Sequence, residues 1–268
     1  MSSESLRYEV TSLTDSGRIR ALNEDAVAVD RELGFAVVTD GMGGHRAGDV
    51  ASRLALETIV GRLRARPQQA TELSQQWVKD AIVATNSVIY SAAMQQTTRT
   101  GMGTTLAMLV FREQQAIFAH VGDSRIYRLR DGHLELLTRD DSILNDQVEM
   151  GMLAAEDAGE SHNRHFVTQA LGTSEQVAVH VREESVNEGD VYLLCTDGLN
   201  DLVGESDIQL IIDSLKTNLP LTANHLVQLA NDSGGYDNIT VALVRVQGDM
   251  STAKRQGWLG RLFGRVFH

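Results

Sequence analysis

Apolar and polar positions along the chain follow two different periods. Tyr8 to Leu13 and Ala26 to Val29 read as short strands, and Gly34 to Thr39 encloses the unbroken apolar run Phe-Ala-Val-Val, the length of a buried strand. From Gly48 to Leu63 the apolar residues become Val50, Leu54, Ile59 and Leu63, which predicts a helix, and a second helical pattern covers Glu72 to Met94. Thr105 to Phe111, Ala116 to Val121, Ile126 to Arg130 and His133 to Leu137 then read as successive strands of a β meander. Between Asp140 and His165 the pattern loosens into polar residues, which predicts a surface helix and loops. Strands return at Val177 to Val181, Val191 to Thr196 and Ile239 to Val246, with helices near Asp207 to Leu215 and Leu221 to Ser233. Two central sheets flanked by helix pairs accommodate this order.

Composition narrows the possibilities. With 268 residues and 42% hydrophobic content the chain can bury one sizeable core. A formal net charge of -12 argues against nucleic acid as a partner, because phosphate backbones are held by clustered Lys and Arg. The single Cys195 excludes an internal disulfide framework and fits a reducing compartment. No basic start followed by an apolar run marks a signal peptide, and no stretch of about 18 apolar residues marks a membrane span. The expectation is a cytoplasmic protein.

Three aspartates stand where predicted strands end or begin. Asp40 follows Phe-Ala-Val-Val-Thr, Asp197 follows Tyr-Leu-Leu-Cys-Thr, and Asp237 precedes Asn-Ile-Thr-Val-Ala-Leu-Val. Gly41 and Gly198 come next to the first two, which would let the backbone turn sharply and a carbonyl approach an ion. Hard oxygen ligands suit Mg²⁺ or Mn²⁺. Asp-Gly is also a hairpin-turn signal, and Asp131-Gly132 is read as that alone. Asp40 and Asp197 differ because a helix, not a paired strand, follows each. Gly41-Met-Gly-Gly-His after a strand also has the look of a dinucleotide-binding turn, but no second strand ending in an acidic residue follows about 20 residues later.

Around these aspartates lie the segments Thr14 to Asp25, Asp40-Gly41-Met42-Gly43-Gly44-His45, Gly103-Thr104-Thr105, His120 to Arg125, Leu137 to Ser142, Thr168 to Gly172, Cys195 to Leu199, and Asp237-Asn238-Ile239-Thr240. In this order they resemble the metal-dependent protein phosphatases of type 2C, particularly the bacterial members. The resemblance covers about Leu6 to Gln247 as one catalytic domain. It implies an α+β fold, a four-layer α/β/β/α sandwich of two antiparallel sheets flanked by helix pairs, with a flap over about residues 142–165. It also implies two Mn²⁺ or Mg²⁺ ions. Asp40 would bridge both, the Gly41 carbonyl would bind the first, and Asp197 and Asp237 would complete the second. Glu24 and Asp25 would act through bound water. Asp123 matches the position that, with Asp197, holds a third and weaker ion, although Gly122-Asp123-Ser124 between two strands is equally a hairpin turn.

The implied reaction is hydrolysis of phosphoserine and phosphothreonine in phosphorylated proteins, among them a serine/threonine protein kinase and its targets, by a monomeric catalytic domain. Two ions about 3.5 to 4 Å apart would acidify a bridging water and need no protein nucleophile. Arg20, whose planar fork matches phosphate oxygens, would clamp the substrate. Where eukaryotic relatives carry a histidine directly after Asp-Gly, this chain has Met42, so His45 is the nearest candidate proton donor for the leaving oxygen, with metal-bound water the alternative. His120 is read as a satisfied strand residue. A cysteine-based phosphatase would need an arginine six positions after Cys195, and position 201 is Asp. A phosphoprotein-binding regulator with a dead site is the alternative of another class, opposed by the presence of every metal-binding aspartate.

The stretch from Gly248 changes character. Lys254 to His268 carries four basic and no acidic side chains, with Trp258, Leu259, Leu262, Phe263, Val266 and Phe267 at helical spacing. Such a tail (248–268) suits the inner face of an anionic membrane or a partner protein. A tail that packs back on its own acidic domain or stays without fixed structure is the alternative, and Gly257, Gly260 and Gly264 weaken an isolated helix.

Overall fold

The computed structural model describes residues 7–43, 47–66, 73–95, 101–152 and 167–248. Among the described residues the elements follow one another as β1 (Arg7–Asp15), β2 (Asp25–Asp30), β3 (Phe35–Met42), α1 (Ala47–Arg64), α2 (Gln75–Gln95), β4 (Gly103–Thr104), β5 (Leu106–Arg112), β6 (Gln115–Val121), β7 (Arg125–Arg130), β8 (His133–Leu136), α3 (Ile143–Glu149), β9 (His180–Ser185), β10 (Val191–Cys195), α4 (Asp197–Asn200), α5 (Glu205–Leu215), α6 (Leu219–Asp232) and β11 (Ile239–Gln247). One sheet has the order β1-β11-β10-β7-β8 and the other β2-β3-β5-β6-β9, with β4 added on β3; every pairing is antiparallel.

Alternation of side chains along each central strand divides the core into three layers. Val37, Met108 and Val110 point outward to α1 and α2, whose Ala51, Ala55, Ile59, Ile82 and Ile89 cover them. Ala36, Val38, Leu109, Phe118, Tyr192, Leu194 and Val244 face the opposite way and meet between the sheets. Leu193, Cys195, Val241 and Leu243 lie under Ile208 and Ile212 of α5 and Leu226 and Ala230 of α6. Both faces of the central strands are therefore buried, which is why their sequences run as unbroken apolar stretches. Burying each large aliphatic or aromatic side chain contributes about 1.5 to 3 kcal/mol, so the three layers supply most of the drive to fold. Small residues at Ala47, Ala51 and Ala55 let α1 lie close on β3, and Asp49 near its start with Arg62 and Arg64 near its end match its dipole. At the start of α6, Asn218 caps the backbone N–H of Leu221.

The four-layer α/β/β/α arrangement is the expected one, with two corrections to its strands. The segment from β5 to β8 is not a single meander: β5 and β6 belong to one sheet, β7 and β8 to the other. Gly122-Asp123-Ser124 is thus a crossover between sheets and not a hairpin. The strand expected at Val177 to Val181 begins instead at His180, and Val177 and Val179 pack against the core without pairing. Asp131-Gly132 is the two-residue hairpin turn between β7 and β8, with φ of 52° and 77°. Residues 153–165 of the expected flap, most of the tail and His45 lie outside the described residues.

Candidate metal centre

The ends of both sheets meet at one cleft of about 310 Å³ lined by Arg20, Glu24, Asp40, Gly41, Met42, Asp123, Asp197, Asp237 and Asn238, among others. Local chain geometry delivers each carboxylate. Asp40 lies within β3, not at its mouth, and is the register partner of Asp25 on β2. Its backbone is clamped by Thr105 on both sides: its N–H donates to Thr105 Oγ1 at 3.0 Å and its carbonyl accepts from the Thr105 N–H at 2.9 Å. Thr105 Oγ1 also shares a 2.7 Å hydrogen bond with Ser124, next to Asp123, so one hydroxyl pair ties two of the acidic residues together. Asp197 opens α4 with Thr196 alone between it and β10, and Asn238 alone separates Asp237 from β11. Arg20 reaches over the cleft, its Nη2 2.7 Å from Asp237 Oδ2, with about half of its side chain exposed at 53%.

Both Asp-Gly glycines are required for a reason other than the one expected. Neither Gly41 nor Gly198 has a positive φ. A Cβ on Gly41 would stand 2.1 Å from the carbonyl oxygen of Gly48 in α1, and one on Gly198 would stand 2.0 Å from the carbonyl oxygen of Asn238. These glycines let a helix press against the strand end that carries the carboxylate.

Asp25 lies deeper, under the cleft. Its Oδ2 accepts hydrogen bonds from Thr196 Oγ1 at 2.9 Å and Thr240 Oγ1 at 2.7 Å, residues adjacent to the second sheet's part of the site. Its Oδ1 is buried with no hydrogen-bond partner among the described residues. Loss of water, only partly offset by the two threonine hydrogen bonds, pushes the Asp25 carboxyl up to about 7. Burial likewise raises Asp123 to about 8, with the charge of Asp197 the next cause. Asp40 is displaced well above the usual carboxylate range, first by desolvation and then by Asp25, Asp197, Asp123 and Asp237. Carboxylates gathered in this way, one with an orphaned oxygen, are stable together when divalent cations neutralise them, so the residues present fit such ions.

All the expected ligand positions in the described residues come together here, Asp123 included. Met42 lines the cleft and has no proton to give. Asn238 enters the sequence pattern only as part of a motif, yet it organises the site. Its Oδ1 accepts from the Glu24 N–H at 2.8 Å, and its Nδ2 donates to the carbonyls of Ser16 at 3.1 Å and Leu22 at 2.9 Å. This amide, together with the Arg18 N–H that donates to the Gly235 carbonyl at 2.8 Å, holds the loop bearing Arg20 and Glu24 to the segment that precedes β11. Cys195 is fully buried, its thiol pushed up to about 12 chiefly by that burial, which removes it as a nucleophile.

Comparison with known proteins gives a consistent result. The family model described as Protein phosphatase 2C matches residues 18–231. Protein phosphatase PhpP of Streptococcus pneumoniae is 36% identical over 242 residues, 88% of this chain and 96% of that one. Serine/threonine phosphatase stp of Listeria monocytogenes is 37% identical over 235 residues, 86% of this chain and 93% of its own. The solved structure of the Mycobacterium tuberculosis serine/threonine phosphatase PstP/Ppp matches with a TM-score of 0.83 at 32% identity, over 90% of this chain and 100% of the other. The catalytic domain of PstP in complex with two manganese ions matches at 0.80 and 32% identity, over 91% and 100%.

Proposed function

This chain belongs to the protein phosphatase 2C family and is a metal-dependent protein serine/threonine phosphatase, and we propose that Asp40, Gly41, Asp197 and Asp237 hold its two Mn²⁺ or Mg²⁺ ions. The carrying observation is the convergence of Asp40, Asp123, Asp197 and Asp237 on one cleft with Arg20 at its rim. When bound, divalent ions polarise a phosphoryl oxygen and acidify water, which supplies a nucleophile without a protein side chain. The Asp40 carboxyl is raised by burial and by four neighbouring carboxylates, Asp25, Asp197, Asp123 and Asp237, which supports placing it where both ions would be held. Glu24 and Asp25 act through water, Asp25 from beneath with its unpaired Oδ1. Asp123, buried and on the cleft wall, takes the third and weaker position together with Asp197.

Arg20 binds the phosphate monoester. Its guanidinium is parked on Asp237 with about half of the side chain exposed, so it can turn a planar pair of N–H donors toward incoming phosphate at little cost. His45 gives the proton to the seryl or threonyl oxygen, since Met42 cannot. The substrates are phosphorylated proteins; opposition to a serine/threonine kinase, cytoplasmic placement, and contact of the basic 248–268 tail with an anionic membrane face rest on the sequence features alone.

Hydrolysis of a phosphothreonine peptide tests the centre: activity with Mn²⁺ is expected to vanish in chelator and in Asp197→Ala, and activity surviving either change would refute it. His45→Ala is expected to slow a phosphoserine substrate more than one with a good leaving group; equal losses would remove His45 as the acid. Anionic vesicles should co-sediment the full chain but not one truncated at Gly248, and equal sedimentation would dismiss the tail.

A further inference from the structure

A second cluster of ligating side chains lies away from the aspartates. β6 and β9 are registered so that His120 and His180 are direct partners, and their rings stack at 4.8 Å with an interplanar angle of 19°. Asp141 joins them, its Oδ1 2.9 Å from His180 Nε2. None of the three lines the aspartate cleft; His120 and His180 instead border a separate cavity of about 240 Å³ together with Thr138, Arg139 and Arg182.

We propose that His120, His180 and Asp141 form a site for a divalent transition-metal ion of the zinc class, separate from the phosphatase ions. One ligand atom from each residue lies within 4.8 Å of the others. Two imidazole nitrogens and one carboxylate form a borderline donor set that suits zinc, nickel or cobalt and is poorly matched to Mg²⁺, which takes oxygen. The surrounding bonds prepare the ligands. His120 Nε2 is 2.7 Å from the Arg139 carbonyl, which can only accept, so the neutral ring keeps the lone pair on Nδ1. Burial lowers the His120 pKa, against the pull of the Arg139 carbonyl and Asp141, and favours that neutral ring. Asp141 Oδ2 accepts from the Gly122 N–H at 2.9 Å, which orients the carboxylate and leaves Oδ1 toward the histidines.

An ion must lie in the plane of both rings, so the stacked pair has to open. His180, whose side chain is 50% exposed, is the ring with room to turn, and the proton it shares with Asp141 is the one the ion replaces. Solvent access at His180 leaves a coordination position for water. The two guanidiniums nearby are drawn elsewhere: Arg182 pairs with Glu184 at 3.1 Å and Arg139 donates to the Asn145 carbonyl at 3.1 Å.

The test is calorimetric titration of the full chain with Zn²⁺ in excess Mg²⁺, using wild type, His180→Ala and Asp197→Asn, with circular dichroism to check folding. Wild type and Asp197→Asn are expected to share one Zn²⁺ event that His180→Ala weakens at least about tenfold. The site is refuted if wild type shows no such event, if His180→Ala binds Zn²⁺ as wild type does, or if Asp197→Asn abolishes binding. A folded His120→Gln that binds as wild type does would also refute it.

Discussion

Replacing Asn238 by alanine tests how the cleft is assembled, because this side chain is 5% exposed and sits between two parts of the site. The change removes three hydrogen bonds, to the Glu24 N–H and to the Ser16 and Leu22 carbonyls. At about 1 kcal/mol each the loss is about 3 kcal/mol, a substantial part of the roughly 5 to 15 kcal/mol that holds a domain folded. Water entering the space left by the amide would lower the cost, while a Glu24 N–H left dry would raise it. Urea denaturation in chelator measures the stability term. Asn224→Ala, which removes only the exposed bond to the Pro220 carbonyl, serves as control and should stay within about 0.5 kcal/mol of wild type. Function should suffer as well, since the freed loop carries Arg20. With Mn²⁺ saturating, kcat/KM for a phosphothreonine peptide is expected to fall even at temperatures where the variant is folded. A stability loss under 1 kcal/mol with unchanged kcat/KM would show that the amide does not hold the loop, and the account of the site's assembly would fail.

Gly198→Ala should gain about 1 kcal/mol in helix propensity and still be destabilised, by roughly 1 to 3 kcal/mol, because its Cβ meets the Asn238 carbonyl at 2.0 Å; a weakened Mn²⁺ affinity should accompany the shift, and an unchanged denaturation midpoint would contradict it. Arg20→Ala removes an exposed ion pair worth about 0 to 1 kcal/mol to stability, yet should lower kcat/KM about 10- to 100-fold by losing charge-assisted bonds to phosphate. Asp40→Asn should raise the melting temperature in chelator, by removing one of several repelling carboxylates, and abolish the stabilisation that Mn²⁺ gives wild type; a lower melting temperature in chelator would argue against the repulsion. In chelator, folded Asp25 and Asp123 keep their protons to about 7 and about 8, whereas the unfolded groups lose them near 3.8. Their contribution is thus fully present below the unfolded value and is lost as pH rises through the folded ones, so melting should fall between pH 5 and pH 8, and less so in Asp123→Asn.

Much of the layered fold was legible because burial on both faces of a strand leaves a direct mark, as in Phe35 to Val38 and Val191 to Cys195, and because a helical period is equally local. Asp40 and Asp197 stood out from their neighbours in the chain, an apolar run before each and a glycine and helix after, whereas Glu24, Asp25 and Asp123 were pointed to only by the family resemblance. Which strands pair is decided over long distances. Gly122 to Ser124 is short enough for a hairpin, and only the packing of the two sheets makes it a crossover that carries Asp123 into the cleft. For the same reason the chain alone marks Gly41 and Gly198 as turn residues, whereas in the fold they are required by Gly48 and Asn238, which press against them. Local order along the chain thus set the alternation, the helices and the two Asp-Gly carboxylates of the centre. That Asn238 binds Arg20's loop and that His120 faces His180 followed from packing, because both depend on contacts between residues far apart along the chain.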